Sequence, residues 1–565
     1  MEGFYQELIR EVIDKNLSLE LTLKLRRKLA RKHHPKIFPS ITQILLHASP
    51  EQLPKLKHLI SKPSRIISGV AVVAVMTKPI KCPHGKCIPC PGGPSSFFGD
   101  VPQSYTGREP ATMRGIRNFY DPYLQIFNRL EQYVLLDHMP DKVELIVMGG
   151  TFPSFQKRYQ EEFVMYSFKA LNDFSRFFFK KCVLDFAKFK EFFELPTEDI
   201  NNKERIARIQ EKVLKLKGRS SLLKEQKTNE SSLIRCVGLT IESRPDYAML
   251  KHANDMLKLG CTRVELGIQS TYDDVLKKME RGHSINDSIK SMQILKDLGF
   301  KVNAHMMLGL PDSNPEKDLA SLRGLFSNPD FRPDMLKLYP CMVLQGTKLY
   351  ESYKQGKYNP LATKDAVEII AKFKSEVPPY VRIMRVQRDI PTKMTVAGVD
   401  KTNLRQYIDK YMREHKLRCR CIRCREVGRA KNVNKVEVMV RPYDASKGRE
   451  FFISVEDVKN DVLVGFCRLR FPSKNLRKEI TKKSALIREL HVYSPLVQIG
   501  KSPGEGQMQH KGFGALLLAR GESIAKDHGY EKLVIISGVG VRAYYRALGY
   551  KLEGPYMVKK VGKKP

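Results

Sequence analysis

Acid, cysteine and long apolar runs are all scarce in this chain, and each shortage narrows the choice of function. Only 61 Asp and Glu face 99 Lys and Arg in 565 residues, a net charge of +38 and a pI near 9.7. Such a surplus favours a polyanionic partner, nucleic acid first and an acidic membrane surface second, over a lysine-rich surface that is merely solvated. Eleven cysteines are too few for a secreted disulfide framework in a chain this long. Six of them fall in two tight clusters, Cys82, Cys87, Cys90 and Cys419, Cys421, Cys424, which suits metal ligation in a reducing compartment. The longest strongly apolar run, Val70 to Met76, is far too short to span a bilayer. The acidic start Met1-Glu-Gly-Phe-Tyr-Gln-Glu7 lacks the basic and apolar segments of a signal peptide, so no membrane association and a cytoplasmic location are expected.

The length predicts three or four domains, large enough to bury cores without staples. Residues 1–65 read as short basic amphipathic helices, with Leu21, Leu25 and Leu29 on one face. Between Thr22 and Lys36 there are seven Lys/Arg and no acid, with Lys24, Arg26, Arg27, Lys28, Arg31 and Lys32 as candidate phosphate contacts. A solvated helix face is the alternative, but such faces usually mix signs.

From 66 to 390, six apolar runs alternate with helix-length connections: Val70–Met76, Val143–Met148, Cys236–Ile241, Val264–Ile268, Val302–Met307 and Met335–Leu338. This alternation predicts an α/β fold, a parallel sheet curved into a partial or full TIM-like barrel with its chemistry at the carboxyl ends of the strands. The long second connection is rich in phenylalanine at Phe174, Phe177, Phe178 and Phe179. Its charged second half, 201–230, reads as a helix followed by a mobile loop. Residues 391–435 read as a basic linker: Arg413 to Lys435 holds nine Lys/Arg, two Glu and the second cysteine cluster. Residues 436–565 read as a separate compact α/β unit with a strand at Leu533–Ile536 and a helix at Val541–Leu548.

Cys82-x4-Cys87-x2-Cys90 follows the first strand. Three thiolates in one loop can hold three irons of a 4Fe-4S cluster and leave the fourth open. Zinc is the alternative, with His84 as the nearby fourth ligand. The pattern resembles the radical S-adenosylmethionine (SAM) superfamily, whose usual spacing is one residue shorter.

The segments Cys82-Pro-His, Cys90-Pro-Gly-Gly-Pro94, Gln103 to Arg114, Val147 to Phe152, Thr240 to Asp246, Glu265 to Ser270 and Val386 to Pro391 together resemble the catalytic subunit of Elongator, from about residue 66 to the C-terminus, as an archaeal-type member. That resemblance implies a tRNA uridine acetyltransferase that uses SAM, a 4Fe-4S cluster and an electron donor to build a carboxymethyl group on C5 of the wobble uridine in the anticodon stem-loop. It implies SAM contacts by Gly149 and Gly150, with Thr151 standing where many radical enzymes have Glu. Glu242, Arg244 and Gln269 are further candidates for SAM, or else helix-capping and ion-pairing residues.

Gln509-x-x-Gly512-x-Gly514 before a helix is a turn that can cradle pyrophosphate. Arg488 to Tyr493 lies upstream as a strand with amides for a pantetheine arm, and Ser537 to Tyr550 follows. This order resembles the GNAT acetyltransferase fold. The Elongator resemblance implies acetyl-CoA contacts by Glu489, Leu490, His491, Val492, Phe513, Gly514, Ala515 and Tyr545, with Lys142 reaching in from the barrel. Tyr545 can give a proton to a departing thiolate, whereas Tyr544 reads as packing. Cys419, Cys421 and Cys424 suit zinc, with His415, another histidine or water as fourth ligand. A protein (histone) lysine acetyltransferase with a structural iron-sulfur domain is the rival enzyme, and an RNA-binding scaffold the non-enzymatic one. Whether the chain acts alone or as a homodimer stays open.

Overall fold

The computed structural model describes residues 2–35, 38, 40–49, 51–59, 69–136, 139–197, 199–430, 433–493 and 512–562. Helices α1 (Glu2–Asp14), α2 (Leu19–His33) and α3 (Ile41–His47) form a small unit with its own core of Phe4, Tyr5, Leu8, Ile9, Val12, Leu29 and Ile44. Ser18 caps α2 by accepting from the Leu21 amide, and Arg31, Lys32 and His33 sit in its last turn, where cations suit the helix dipole. Leu29 is buried and Leu25 packs against this core, but Leu21, expected on the same face, is exposed.

The main sheet holds seven parallel strands side by side in chain order: β1 (Ala71–Met76), β2 (Lys142–Met148), β3 (Arg235–Ser243), β4 (Arg263–Gln269), β5 (Lys301–Leu308), β6 (Met335–Pro340) and β7 (Arg382–Arg385). β1 and β7 do not pair, so the barrel is partial, with a seam between them. Strand alternation sends Val302, Ala304, Met306 and Leu308 of β5 under the helices, fully buried, while Asn303 and His305 reach Glu265 across the lumen. β7 was not among the strands expected from the sequence, because Arg-Ile-Met-Arg offers a strand pattern only four residues long.

The long connection carries α4 (Lys157–Phe178), whose Phe163, Phe168, Phe174 and Phe178 are buried with Phe189 and Phe193 of the next turns. α5 (Lys203–Lys217) is the expected charged helix, but the expected mobile loop is a second helix, α6 (Leu222–Asn229). Polar side chains anchor it: Asn172 donates to Glu225 (2.8 Å), and Asn229 donates to Asn172 (2.8 Å) and accepts from the Cys236 amide (2.7 Å). In segment 391–435, expected as a linker, the described residues 391–430 pack on the barrel. Helix α7 (Leu404–Glu414) buries Leu404, Ile408 and Met412 in the barrel core.

A second seven-stranded sheet follows: β8 (Glu437–Ala445), β9 (Gly448–Asp457), β10 (Val462–Phe471), β11 (Ser484–Val492), β12 (Lys532–Ile536), β13 (Lys551–Glu553) and β14 (Tyr556–Lys560), ordered 8-9-10-11-12-14-13. All pairs are antiparallel except β11 with β12. Helix α8 (Phe513–Asp527) packs on one face over Ile453, Cys467, Leu469 and Ile487. On the other face Phe452, Leu463, Phe466, Leu486, Val534 and Tyr556 belong to the same core as the barrel. Helix α9 (Arg542–Ala547) lies before β13.

Three fully buried arginines cross this junction. Arg488 makes a fork to Asp334 at 2.6 and 2.8 Å, Arg470 reaches Asp297 at 2.6 Å, and Arg468 donates to the Tyr380 carbonyl at 2.8 Å. Close backbone contact adds to it. A side chain at Gly538 would stand 2.1 Å from the Val237 carbonyl oxygen, and one at Gly540 2.6 Å from Arg235 Cβ. Among the described residues no helix is long and apolar enough to cross a membrane.

Candidate active site: two ends of one barrel

The loop after β1 brings Cys82, Cys87 and Cys90 to the carboxyl rim. Cys87 Sγ lies 3.1 Å from His84 Nε2 and 3.7 Å from Arg281 Nη1, Cys90 Sγ donates to Gln103 Oε1 (3.2 Å), and Cys82 Sγ is 3.7 Å from Thr151 Oγ1. Among the described residues the three thiols and His84 do not converge to within 4.8 Å of one another. A single zinc ion draws its thiolates to roughly 3.8 Å, given Zn–S near 2.3 Å, so the wider set suits the corners of a cluster.

Gly149 and Gly150 end β2 with φ of +122° and +110°, where a side chain would be strained. A Cβ at Gly150 would lie 4.0 Å from Cys82 Sγ, so this turn sits directly beside the cysteine loop. Glu242 accepts from Tyr105 OH at 3.2 Å. Burial pushes its pKa up, while Lys337 at 4.0 Å pulls it down. Arg244 grips Asp246 at 2.8 and 2.9 Å and the Gly282 carbonyl at 2.9 Å, which leaves its buried Nη1 without a partner among the described residues. Gln269, at φ +73°, keeps Oε1 buried and likewise unpartnered among the described residues. One orphan donor and one orphan acceptor beside the cysteine loop fit a ligand bearing a carboxylate and hydroxyls, as SAM does.

The opposite, amino end of the barrel opens into a cavity of about 690 Å³ between the two sheets. β11 and β12 pair from Ser484 and Lys532 to Ile487 and Ile535. Beyond that β11 continues to Val492 while β12 ends at Ile536, so the strands part and Glu489–Val492 face a wedge. The wall combines Glu489, Leu490, His491, Val492, Gly512, Gly514, Ala515 and Tyr545 with Lys142 from β2. Phe513 starts α8 and packs against the core instead of lining the cavity, and Gln509 lies outside the described residues. Gly512 caps α8 at φ +81°. Burial raises the Glu489 pKa, but Arg468 and Lys301 bring it below the usual carboxylate range; burial lowers that of Lys142. Tyr545 is buried, which pushes its phenol well up and keeps it protonated. Tyr544, expected to pack, is 42 % exposed and lines the cavity, with its hydroxyl 2.7 Å from where a Gly514 Cβ would stand.

Between the two ends the lumen is charged, a feature not expected from the sequence. Arg263 pairs with Glu144 (2.7 Å); Glu265 accepts from His305 (2.8 Å), Asn303 (3.2 Å) and Lys337. Arg263-Val-Glu265-Leu-Gly-Ile-Gln269 alternates polar and apolar, and that period of two was the available signal.

Cys419, Cys421 and Cys424 bring three sulfurs within 4.8 Å of one another, a set able to hold a metal ion. His415 does not join them: it stacks on Tyr411 at 3.8 Å and bonds that residue's carbonyl at 2.9 Å. On α2, Arg27, Lys28 and Arg31 are exposed without an ion pair among the described residues. Lys24 pairs with Glu20 (2.9 Å), Lys32 with Glu7 (2.8 Å), and Arg26 stacks on Phe38 (4.6 Å).

A partial parallel barrel with a three-cysteine loop at its rim places the chain among radical SAM folds. Family models agree, with the Radical SAM superfamily over residues 80–323 and the Radical_SAM C-terminal domain over 333–414. A tRNA uridine(34) acetyltransferase of Methanocaldococcus infernus is 47 % identical over 93 % of this chain and 92 % of that protein. Elongator complex protein 3 of Saccharomyces cerevisiae is 43 % identical over 93 % and 89 %. The solved structure of the archaeal Methanocaldococcus infernus Elp3 with an N-terminal deletion matches at a TM-score of 0.70 and 40 % identity, over 87 % of this chain and all of that one. The chain belongs to the family of the tRNA uridine(34) acetyltransferases and Elongator complex protein 3.

Proposed function

We propose that the chain is a radical SAM tRNA acetyltransferase that uses acetyl-CoA to install a carboxymethyl group at C5 of the wobble uridine. The observation that carries this reading is one barrel with a cysteine loop at one end and, at the other, a wedge roomy enough for a coenzyme arm. Cys82, Cys87 and Cys90 would hold three irons of a 4Fe-4S cluster, which with SAM would supply the 5′-deoxyadenosyl radical chemistry needed to take hydrogen from the acetyl methyl group. Gly149 and Gly150 let the backbone approach the SAM amino group, Arg244 Nη1 binds its carboxylate, and Glu242 and Gln269 orient its ribose.

At the amino end the parted edge of β11 lines the pantetheine arm, and the α8 N-terminus at Gly512 and Gly514 meets the pyrophosphate. Lys142 adds a cation from the barrel. Water attacks the thioester carbonyl to leave the carboxylate, and Tyr545, kept protonated by burial, donates to the sulfur that leaves as coenzyme A. Cys419, Cys421 and Cys424 bind zinc and pin the basic loop 413–435. The α2 stripe takes tRNA phosphates.

The test is nucleoside mass spectrometry of tRNA after anaerobic incubation with reconstituted protein, SAM, acetyl-CoA and a reductant. Carboxymethyluridine is expected, lost on omitting SAM or with Cys87→Ala, and Tyr545→Phe is expected to slow coenzyme A release by about 10²-fold. SAM-independent acetylation of protein with unmodified tRNA would replace this reading with the lysine acetyltransferase one.

A further inference from the structure

Closed eight-stranded barrels fill their interiors with branched apolar side chains. Here the lumen buries Arg263, Glu265 and Lys337, with a half-buried Glu144 paired to Arg263, and buried ions are costly unless paired and hydrogen-bonded. Glu144 and Arg263 line the wedge, whereas Glu265 and Lys337 do not and are left as buried charges that the acetyl-CoA site does not use.

The proposed reaction needs one more group. Joining the acetyl methyl carbon to C5 forms a C–C bond and leaves the unpaired electron on C6 of the base. Restoring the C5=C6 double bond removes that electron, for which a cluster held by Cys82, Cys87 and Cys90 would be the acceptor, and breaks the C5–H bond with loss of a proton. Some side chain has to accept the proton.

We propose that His305, oriented by Glu265, is the general base that takes the C5 proton of the uridine. Glu265 is fully buried and accepts from His305 Nε2, Asn303 Nδ2 and Lys337 Nζ, with Arg263 3.6 Å away. Despite burial, these donors hold it ionised. An ionised carboxylate at Nε2 fixes the neutral ring with its hydrogen there and leaves Nδ1 as the acceptor, the arrangement a carboxylate imposes on a catalytic histidine elsewhere. Nδ1 has no partner among the described residues. The His305 side chain keeps 13 % exposure where Glu265 keeps none, so the ring is the part a substrate can reach.

His305 stands three residues before the rim end of β5, with its ring centroid 5.7 Å from that of Tyr339 in an edge-on arrangement. Burial, Lys337 of β6 and Arg388 beyond β7 push the ring's pKa down and Glu265 of β4 pulls it up, leaving it at about 4 and the imidazole neutral at pH 7. Contacts also run from the cysteine loop toward this dyad: Cys90 to Gln103, Tyr105 to Glu242, Glu242 to Lys337, and Lys337 to Glu265.

The assignment rests on the proposed function, and the experiment separates the two. Reconstituted wild type, His305→Gln and His305→Ala are incubated with SAM, acetyl-CoA and tRNA carrying hydrogen or deuterium at uridine C5. His305→Gln is expected to bind SAM and form 5′-deoxyadenosine as wild type does, while carboxymethyluridine falls 10²-fold or more and its formation becomes slower with deuterium. Free imidazole is expected to restore product in His305→Ala, which a packing defect would not allow. In the apo protein, ¹⁵N-histidine spectra are expected to show His305 neutral with hydrogen on Nε2 at pH 7. Product within twofold of wild type in His305→Gln, loss of 5′-deoxyadenosine together with product, or an imidazolium at pH 7 would each overturn the assignment alone. A wild-type enzyme that makes no carboxymethyluridine would overturn the parent reading and this one with it.

Discussion

Asp334 shows how much one side chain carries at the junction of the two sheets. It immediately precedes β6 and takes the fork of Arg488, with Arg468 and Lys296 each within 4 Å. Removing it leaves three buried cations short of a partner, so Asp334→Ala is expected to cost about 3–5 kcal/mol, read from denaturant unfolding. The same residue gives a pH dependence. Burial raises its pKa, but Arg488 and Lys296 outweigh burial and hold it below the usual carboxylate range. Its stabilisation is therefore complete above about pH 4 and is lost as pH falls through the depressed value. Thermal unfolding between pH 3 and 7 checks the sign, and a rise in Tm on acidification would contradict it. None of these partners was legible in the sequence, because 154 positions separate Arg488 from Asp334 and no local pattern links them.

At the scale of elements, six of the seven barrel strands could be read from their apolar runs, since β-branched residues in short stretches between helices leave few other folds. β7 could not, because its two arginines mask its two apolar residues. α6 was hidden for a related reason: it is anchored through Glu225, Gln226 and Asn229, polar residues that a hydrophobic pattern ignores. The turn after β12 was legible only in part. Gly538 and Gly540 read as part of an acetyl-CoA-binding order, yet the structure presses both against β3. Gly540→Ala would bring a methyl group to 2.6 Å from Arg235 Cβ and 2.9 Å from the Cys236 carbonyl oxygen. It is expected to destabilise the docked arrangement by about 1–3 kcal/mol, seen as a lower Tm, whereas the open position Gly562 should tolerate alanine.

On the scale of the whole molecule, the surplus of positive charge becomes a set of placed surfaces. α2 presents Arg27, Lys28 and Arg31 outward, and the cysteine cluster segment 419–425 lies beside β7, with the Ile422 amide bonded to the Val381 carbonyl. Replacing Arg27, Lys28 and Arg31 together by Gln is expected to weaken tRNA binding and to lower the salt dependence of affinity by about one for each phosphate that is no longer neutralised. An unchanged salt slope would remove α2 from the RNA surface. The cysteine loop and the wedge occupy opposite ends of one barrel, and a charged lumen separates them. An enzyme that merely kept a structural cluster would have no need for orphan donors and acceptors at the rim.

If both ends of the barrel serve one reaction, the acetyl carbon must pass from one to the other. With acetyl-CoA labelled by ¹³C at both acetyl carbons, SAM, a reductant and tRNA under anaerobic conditions, wobble carboxymethyluridine carrying both labels is expected, with 5′-deoxyadenosine formed alongside. Label found on protein lysines, or product made without SAM, would contradict it.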